Sequence, residues 1–421
     1  MVFNLFFSIL LILTVICLYL FLPELLLHVL GIGSWKRQYS SGVSLTFDDG
    51  PDPLYTPNLL SILERQNVKA CFFLVGEKAE KYPEIVKMIQ NQGHLIGYHG
   101  YLHKHAWLMT PRKTWKLWDK GIEIIENITG IKPDYIRPPW GSTNMALYLW
   151  CLLKNKRMII WNTHGFDWLQ KRTPQKIINR IIKHTKEGTI VLLHDSGGEP
   201  GAPQNTLACI DELCTIIREH LKLPIVPLNF PTWSLLRRLV FRVWEKWEHI
   251  YAKVFKINRI DANNLFRLGL SRYHGPDLIQ ADGKVLATKG DIVGEIHFDS
   301  IRLQSIGPDL HKTGIRALKL ARLSLPILAK YISVNPDHKD IKVYLGITML
   351  NRGVKRLGFN VQEYSERNGR IIGLFQKIIV HIYHPSGGKR KTESLGDKPK
   401  LVWISKQTLI EKYSNKEKII S

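Results

Sequence analysis

Val43-Ser44-Leu45-Thr46-Phe47-Asp48-Asp49-Gly50-Pro51 is the stretch from which the rest of the chain can be read. An apolar run of strand composition ends in two adjacent carboxylates, and Gly-Pro then turns the backbone for steric reasons alone. Runs of the same kind recur at 70–74, 95–98, 135–136, 158–161, 189–193 and 224–228. Helix-period segments lie between most of them, opened by Thr56-Pro57, Thr110-Pro111 and Thr173-Pro174, where proline suits the first helical turn. Alternating strands and helices predict a parallel sheet, and seven such repeats predict a closed or nearly closed barrel. The expected fold is therefore α/β: a deformed (β/α)7 barrel at 41–230, with an N-terminal transmembrane helix and a C-terminal α+β domain.

Barrels of this type carry their chemistry at the C-terminal ends of the strands. The unusual polar residues fall there: Asp48 and Asp49, then His99, Arg137, Asp167 and His194. Adjacent carboxylates repel, so one ionises readily while the other favours a proton or a metal; alone, Asp-Asp-Gly-Pro is also an ordinary turn. His99 and His103 are spaced to share one side of a turn and suit a divalent ion, with His105 a near competitor at a less favourable spacing. Adding Asp49 gives two imidazoles and one carboxylate, a set that leaves positions open for water and substrate. The same set serves non-haem iron oxygenases, so neighbouring groups must decide the reaction. Asp48 is a candidate base and His194 a candidate acid, which is hydrolytic equipment. Arg137, between stiffening prolines, can hold a carboxylate bidentately, and Asp167 can orient and charge an imidazole. Trp140 and Trp168 offer flat faces for stacking a sugar ring.

Taken together and in this order, these segments resemble the polysaccharide deacetylase family, also called the NodB-homology or carbohydrate esterase family 4 domain, over roughly residues 40 to 230. The resemblance implies metal-assisted hydrolysis of an N-acetyl group on an amino sugar of a cell-wall or exported polysaccharide, releasing acetate. It implies Asp48 as catalytic base, Asp49, His99 and His103 as ligands of one divalent ion, zinc by preference, and Arg137 as the residue positioning the base. Asp167 would tune His194, the general acid, and a backbone N–H near Trp140 would meet the oxyanion. One departure stands out: the family usually has Ser or Thr after the first histidine of its second motif, where this chain has Gly100, and a lost hydroxyl bond would loosen that loop. The rival readings are a glycan- or lipid-binding protein on an inactive deacetylase scaffold, and an amidase acting on another linkage.

The ends of the chain fit this assignment. Residues 1–22 contain no charged side chain and match the ~20 residues that cross a bilayer as a helix; the expected layout continues with a juxtamembrane linker at 23–40. Lys36 and Arg37 after the span weakly favour a cytoplasmic far side, but a wall substrate places the barrel outside, so the expectation is a single-pass cell-membrane protein with an extracytoplasmic catalytic domain. Lys and Arg total 59 against 36 Asp and Glu, which suits an anionic lipid or wall polymer; no nucleic-acid module is recognisable, and no feature sets the oligomeric state. Five cysteines without paired spacing exclude a disulfide scaffold and a structural zinc site, and are expected to be buried thiols.

Residues 231–260 read as a basic amphipathic connecting helix, with Trp233, Val240, Val243, Trp244 and Trp247 at helical spacing among Arg237, Arg238, Arg242 and Lys246. Such a helix either lies on an anionic membrane or packs on the barrel. The α+β domain at 261–421 has a hairpin signal at Asp282-Gly283, a helix-period segment at 315–331, strand-like runs at 342–347 and 378–383, and a basic tail expected to be mobile. Glu295, His297 and Asp299 share one strand face there, as a solvated face or a small-ligand site. This half loosely resembles the YkoP-like domain, which implies no activity.

Overall fold

Ser44–Asp48 (β2) is buried along its whole length, which is why its sequence is apolar or hydroxylic without alternation: a parallel strand with both faces covered needs no polar side. It lies in an eight-stranded sheet in the computed structural model, which describes residues 2–38, 42–230, 235–261, 264–299, 310–348, 351, 353–363 and 399–414. The chain divides into two units, Met1–Phe230 and Pro231–Ser421.

In the first unit the remaining strands are β1 (Ser34–Trp35), β3 (Cys71–Leu74), β4 (Leu95–Tyr98), β5 (Tyr135–Ile136), β6 (Arg157–Ile159), β7 (Thr163–His164) and β8 (Ile190–His194). They run in the order β1-β6-β5-β4-β3-β2-β8-β7, every pair parallel. Only residues 160–162 separate β6 at one side from β7 at the other, so a single short segment curls the sheet into the deformed barrel. The run at 224–228 contributes one bridge, Val43 to Ile225, instead of a seventh strand; β1 and β7 take the edges. Phe47, Phe72, Leu193 and the helix residues Leu60, Ile122 and Ile178 fill a continuous core.

Local chemistry sets the helices. Thr110 and Thr173 accept from the amides of Lys113 and Lys176 and so cap Pro111–Thr129 and Pro174–His184, a stabilisation of about 1 kcal/mol each. Thr56 instead ties its helix to the rim, its hydroxyl accepting from Asp52 N and donating to the buried Asp195 at 2.5 Å. Register brings the rim together, because Asp48 lies level with His194 across β2 and β8, and Tyr98 with Ile136 across β4 and β5. His99 and Arg137 are the next residues along those strands.

The N-terminal helix runs through Val2–Ile16, Cys17–Phe21, Leu22–Glu24 and Leu25–Val29, two of these segments being wide π-type turns. Its Phe6–Val29 portion is long and apolar enough to cross a membrane, with mean hydropathy 2.6. Residues 23–40 are structured where described: the helix continues to Val29, Leu27 is buried, and β1 pairs with β6. Cys71, Cys151, Cys209 and Cys214 are buried free thiols, whereas Cys17 is exposed on the helix.

The second unit is α+β. Strands β9 (Asn258–Arg259), β10 (Phe266–Arg272), β13 (Ile292–Phe298), β14 (Val343–Thr348), β15 (Asn360–Glu363) and β16 (Lys400–Ser405) form one sheet, with β11 (Leu278–Ile279) and β12 (Val285–Ala287) a separate hairpin around Asp282-Gly283. The helix Leu310–Val334 buries Leu325, Leu328 and Ile332 in this unit's core. Part of the supposedly mobile tail is central: β16 pairs with both β14 and β15 because Leu401, Val402, Trp403 and Ile404 are buried. The strand-like run at 378–383 and Trp233 lie outside the described residues. The helix Leu235–Val254 leaves Leu236, Val243, Ile250 and Val254 exposed. Just past β13, Asp299 is buried between Arg259 and Arg267, at 2.7 and 2.9 Å, and on β13 Glu295 lies 3.4 Å from His297.

Candidate functional site

The rim residues converge on one pocket of charge. Asp49, the residue after β2, takes a left-handed backbone, φ 72°, that swings its carboxylate toward the turn after β4. His103 Nε2 and His99 Nε2 lie 3.0 and 3.2 Å from Asp49 Oδ1. The three ligand atoms lie within 4.8 Å of one another, and ligands at about 2.1 Å in a tetrahedron sit about 3.4 Å apart. His99 Nδ1 donates to the Arg137 carbonyl at 2.7 Å, which assigns the proton to Nδ1 and turns the Nε2 lone pair toward the carboxylate, as a metal-bound imidazole does when its other N–H is held by a carbonyl. Burial opposes ionisation of Asp49, but His103 and His99 outweigh it and hold the carboxyl well below its usual range. A buried, ionised carboxylate with two imidazole nitrogens converging on it fits a divalent cation. His105 is outside this group; its Nδ1 faces Ser142 Oγ at 3.2 Å.

Asp48 is buried beside this group, its Oδ2 3.8 Å from His99 Nε2. Arg137, fully buried, donates from Nη1 to Asp48 Oδ1 at 2.7 Å and to Thr46 Oγ1 at 2.8 Å, while Nε donates to Ile159 O. The expected bidentate grip is instead a contact through one nitrogen: Nη1 is shared between Asp48 and Thr46, Nε goes to the Ile159 carbonyl, and Nη2 meets no acceptor among the described residues. Phe73 supports the guanidinium from below, ring centroid at 4.1 Å.

Opposite stands the second pair. Asp167 Oδ1 lies 3.1 Å from His194 Nδ1, and its Oδ2 accepts from His194 N and Thr206 Oγ1 at 2.7 and 2.9 Å. Burial pushes the imidazole toward neutrality, but Asp167, with smaller pulls from Asp49 and Asp48, raises it to about 9. His194 is therefore protonated below that value and loses its proton as pH rises through it; a cation at Asp49 offsets part of the pull. We expect the alkaline limb of any reaction that uses this proton to lie at or below pH 9. Asp167→Asn moves the limb down by at least about one unit, as a pH profile of kcat reads directly; an unmoved limb contradicts the assignment.

Trp140 is 58% exposed, with φ 55°, and its ring lies 4.2 Å from that of His103. Its amide finds no acceptor among the described residues. Trp168 is half-buried against His164 and His194, at 5.1 and 5.4 Å, so it walls the histidine more than it offers a free face. At Gly100 the carbonyl accepts from Gly76 N at 2.9 Å, and its φ of 86° is one that a residue with a side chain rarely adopts. Sequence reasoning passed over Thr46, Thr206 and Lys78, whose Nζ donates to Asp49 O at 2.8 Å and Ser196 Oγ at 2.6 Å. Only Thr46 carries a signal, its place two residues before Asp48 on the same strand.

Comparison with known proteins places this chain among the polysaccharide deacetylases, a class of hydrolase. The family model described as polysaccharide deacetylase matches residues 36–151, and the YkoP domain model matches 237–413. A peptidoglycan-N-acetylglucosamine deacetylase of Bacillus cereus is 35% identical over 189 residues, 43% of this chain and 68% of the relative. A chitooligosaccharide deacetylase of Azorhizobium caulinodans is 30% identical over 186 residues, 44% of this chain and 86% of the relative. A solved structure of a peptidoglycan N-acetylglucosamine deacetylase is 33% identical, with TM-score 0.42, covering 45% of this chain and 89% of that one. The chain belongs to the polysaccharide deacetylase family.

Proposed function

We propose that this chain is a membrane-anchored, metal-dependent deacetylase that removes N-acetyl groups from amino sugars of a cell-wall or exported polysaccharide, with its barrel on the outer face of the cell membrane. The observation that carries the reading is the convergence of Asp49, His99 and His103 on one point, flanked by the Arg137–Asp48 pair on one side and Asp167–His194 on the other. The relatives' substrates, peptidoglycan and chitooligosaccharide, share an N-acetylated amino sugar.

Asp49, His99 and His103 would hold the divalent ion, which supplies polarisation of water and of the acetyl carbonyl. Asp48, oriented by Arg137, takes the proton from water as the water oxygen attacks the carbonyl carbon. The Trp140 amide donates to the oxygen on which charge develops. As the carbon–nitrogen bond breaks, His194 gives its proton to the departing nitrogen, leaving a free amino sugar and acetate. Trp140 stacks on the sugar ring, and Trp168 confines His194. The Phe6–Val29 helix anchors the barrel beside its polymer.

The test is acetate release from N-acetylated oligosaccharides by the metal-loaded chain. Release that stops with chelator supports the reading; release of an amine without acetate would instead indicate an amidase on another linkage.

A further inference from the structure

Glu24 and His28 lie one turn apart on the apolar N-terminal helix, and both face the barrel. Glu24 Oε1 accepts from Thr143 N at 2.6 Å and from Trp107 Nε1 at 3.3 Å, while its Oε2 lies 3.2 Å from His28 Nε2. The same His28 nitrogen meets the Gly141 carbonyl at 2.9 Å. Tyr19 OH donates to Met109 O at 2.9 Å, and the Phe21 and Trp107 rings meet edge to face at 5.3 Å. The helix therefore grips both ends of the segment that follows Trp140, through the Gly141 carbonyl and the Thr143 amide.

That segment shapes the candidate site. Trp140 holds a left-handed conformation, φ 55°, which is strained for a residue with a side chain and persists only if its neighbours are restrained. Its ring covers the His103 ring at 4.2 Å, and its backbone sets the direction of the amide beside that ring.

We propose that Glu24 and His28 are positioning residues: the membrane helix is a structural part of the active site and holds the Trp140 loop over His103. This rests on the deacetylase reading for its kinetic consequence but not for its structural one. Leu27, buried between the two in sequence, and the Ser34 hydroxyl bond to its carbonyl at 2.9 Å fix the same helical turn against the barrel. The helix then serves in two parts. The apolar stretch before Tyr19 enters the bilayer, and the turns from Tyr19 on, which carry the barrel contacts, act as a clamp.

The experiment uses the full chain in lipid nanodiscs, as wild type, Glu24→Ala, Glu24→Gln and His28→Ala. Amide hydrogen exchange of the 139–144 segment is followed beside kcat and KM on an N-acetylglucosamine oligomer. Glu24→Ala is expected to speed exchange in that segment selectively and lower kcat about tenfold with little change in KM. Glu24→Gln, which keeps an acceptor for Thr143 N, restores both to within about twofold, as a merely destabilised fold would not. Unchanged exchange at 139–144 in both alanine variants, with the chain folded, overturns the proposal. A wild type that releases no acetate leaves that exchange result in force and counts against the deacetylase reading alone.

Discussion

His99→Ala lowers the affinity of the chain for zinc by at least about a hundredfold and abolishes acetate release, while the fold survives. The magnitude follows from the ligand's construction. Removing even a group that only hydrogen-bonds a metal-bound imidazole typically costs about 10- to 100-fold, and His99 Nε2 is one of three convergent ligand atoms. The fold survives because the imidazole closes no helix or strand: the turn after β4 keeps its backbone bonds from Gly76 N to Gly100 O and from Glu77 N to Tyr101 O. Isothermal titration with zinc after chelator treatment reads the affinity, and circular dichroism the fold. Wild-type affinity in the variant would mean that these three residues form no metal centre.

Asp48→Asn has the opposite signature. The side chain is isosteric and is not among the three ligand atoms, so zinc affinity stays within a few fold, yet kcat falls about 10³-fold, within the range assigned to a positioned proton acceptor. Arg137 remains buried with Thr46 Oγ1 and the Ile159 carbonyl as acceptors, which limits the structural damage. Metal retained and turnover lost separates a base from a ligand. Loss of both would place Asp48 on the metal, and loss of neither would make the Arg137–Asp48 pair a structural ion pair only.

Much of the site could be read before any coordinate, for a physical reason. Parallel strands buried on both faces carry few polar residues, so Asp48, Asp49, His99, Arg137 and His194 stand out at strand ends, and register does the rest by setting Asp48 level with His194. What stayed hidden lacked such contrast. Edge strands Ser34–Trp35 and Thr163–His164 are two residues each, too short for periodicity to register. Thr46 and Lys78 act through hydrogen bonds to Arg137 and to the Asp49 carbonyl, of a kind that any threonine or lysine can make.

At the other end of the chain, Leu401 to Ile404 lie between basic segments whose composition reads as a solvated tail, although β16 pairs on both sides. In the N-terminal helix the hydropathy that marks a membrane span says nothing of the face bearing Glu24 and His28. Only the partners of those residues, Thr143 and Gly141, more than a hundred positions away, give them meaning.

Release of acetate from an N-acetylated amino sugar, under the control of this charge cluster, is what the molecule must do if its site is a deacetylase centre. Paired quantification of acetate and free amine reads it directly, from N-acetylglucosamine oligomers and from peptidoglycan, with the full chain in nanodiscs loaded with zinc. The two products are expected in equal amounts from at least one of these polymers, with release abolished by chelator, restored by zinc and lost in Asp48→Asn. Absence of acetate from every N-acetylated polymer with the zinc-bound chain, or release that persists in both Asp48→Asn and chelator, would show that the cluster is not a deacetylase centre.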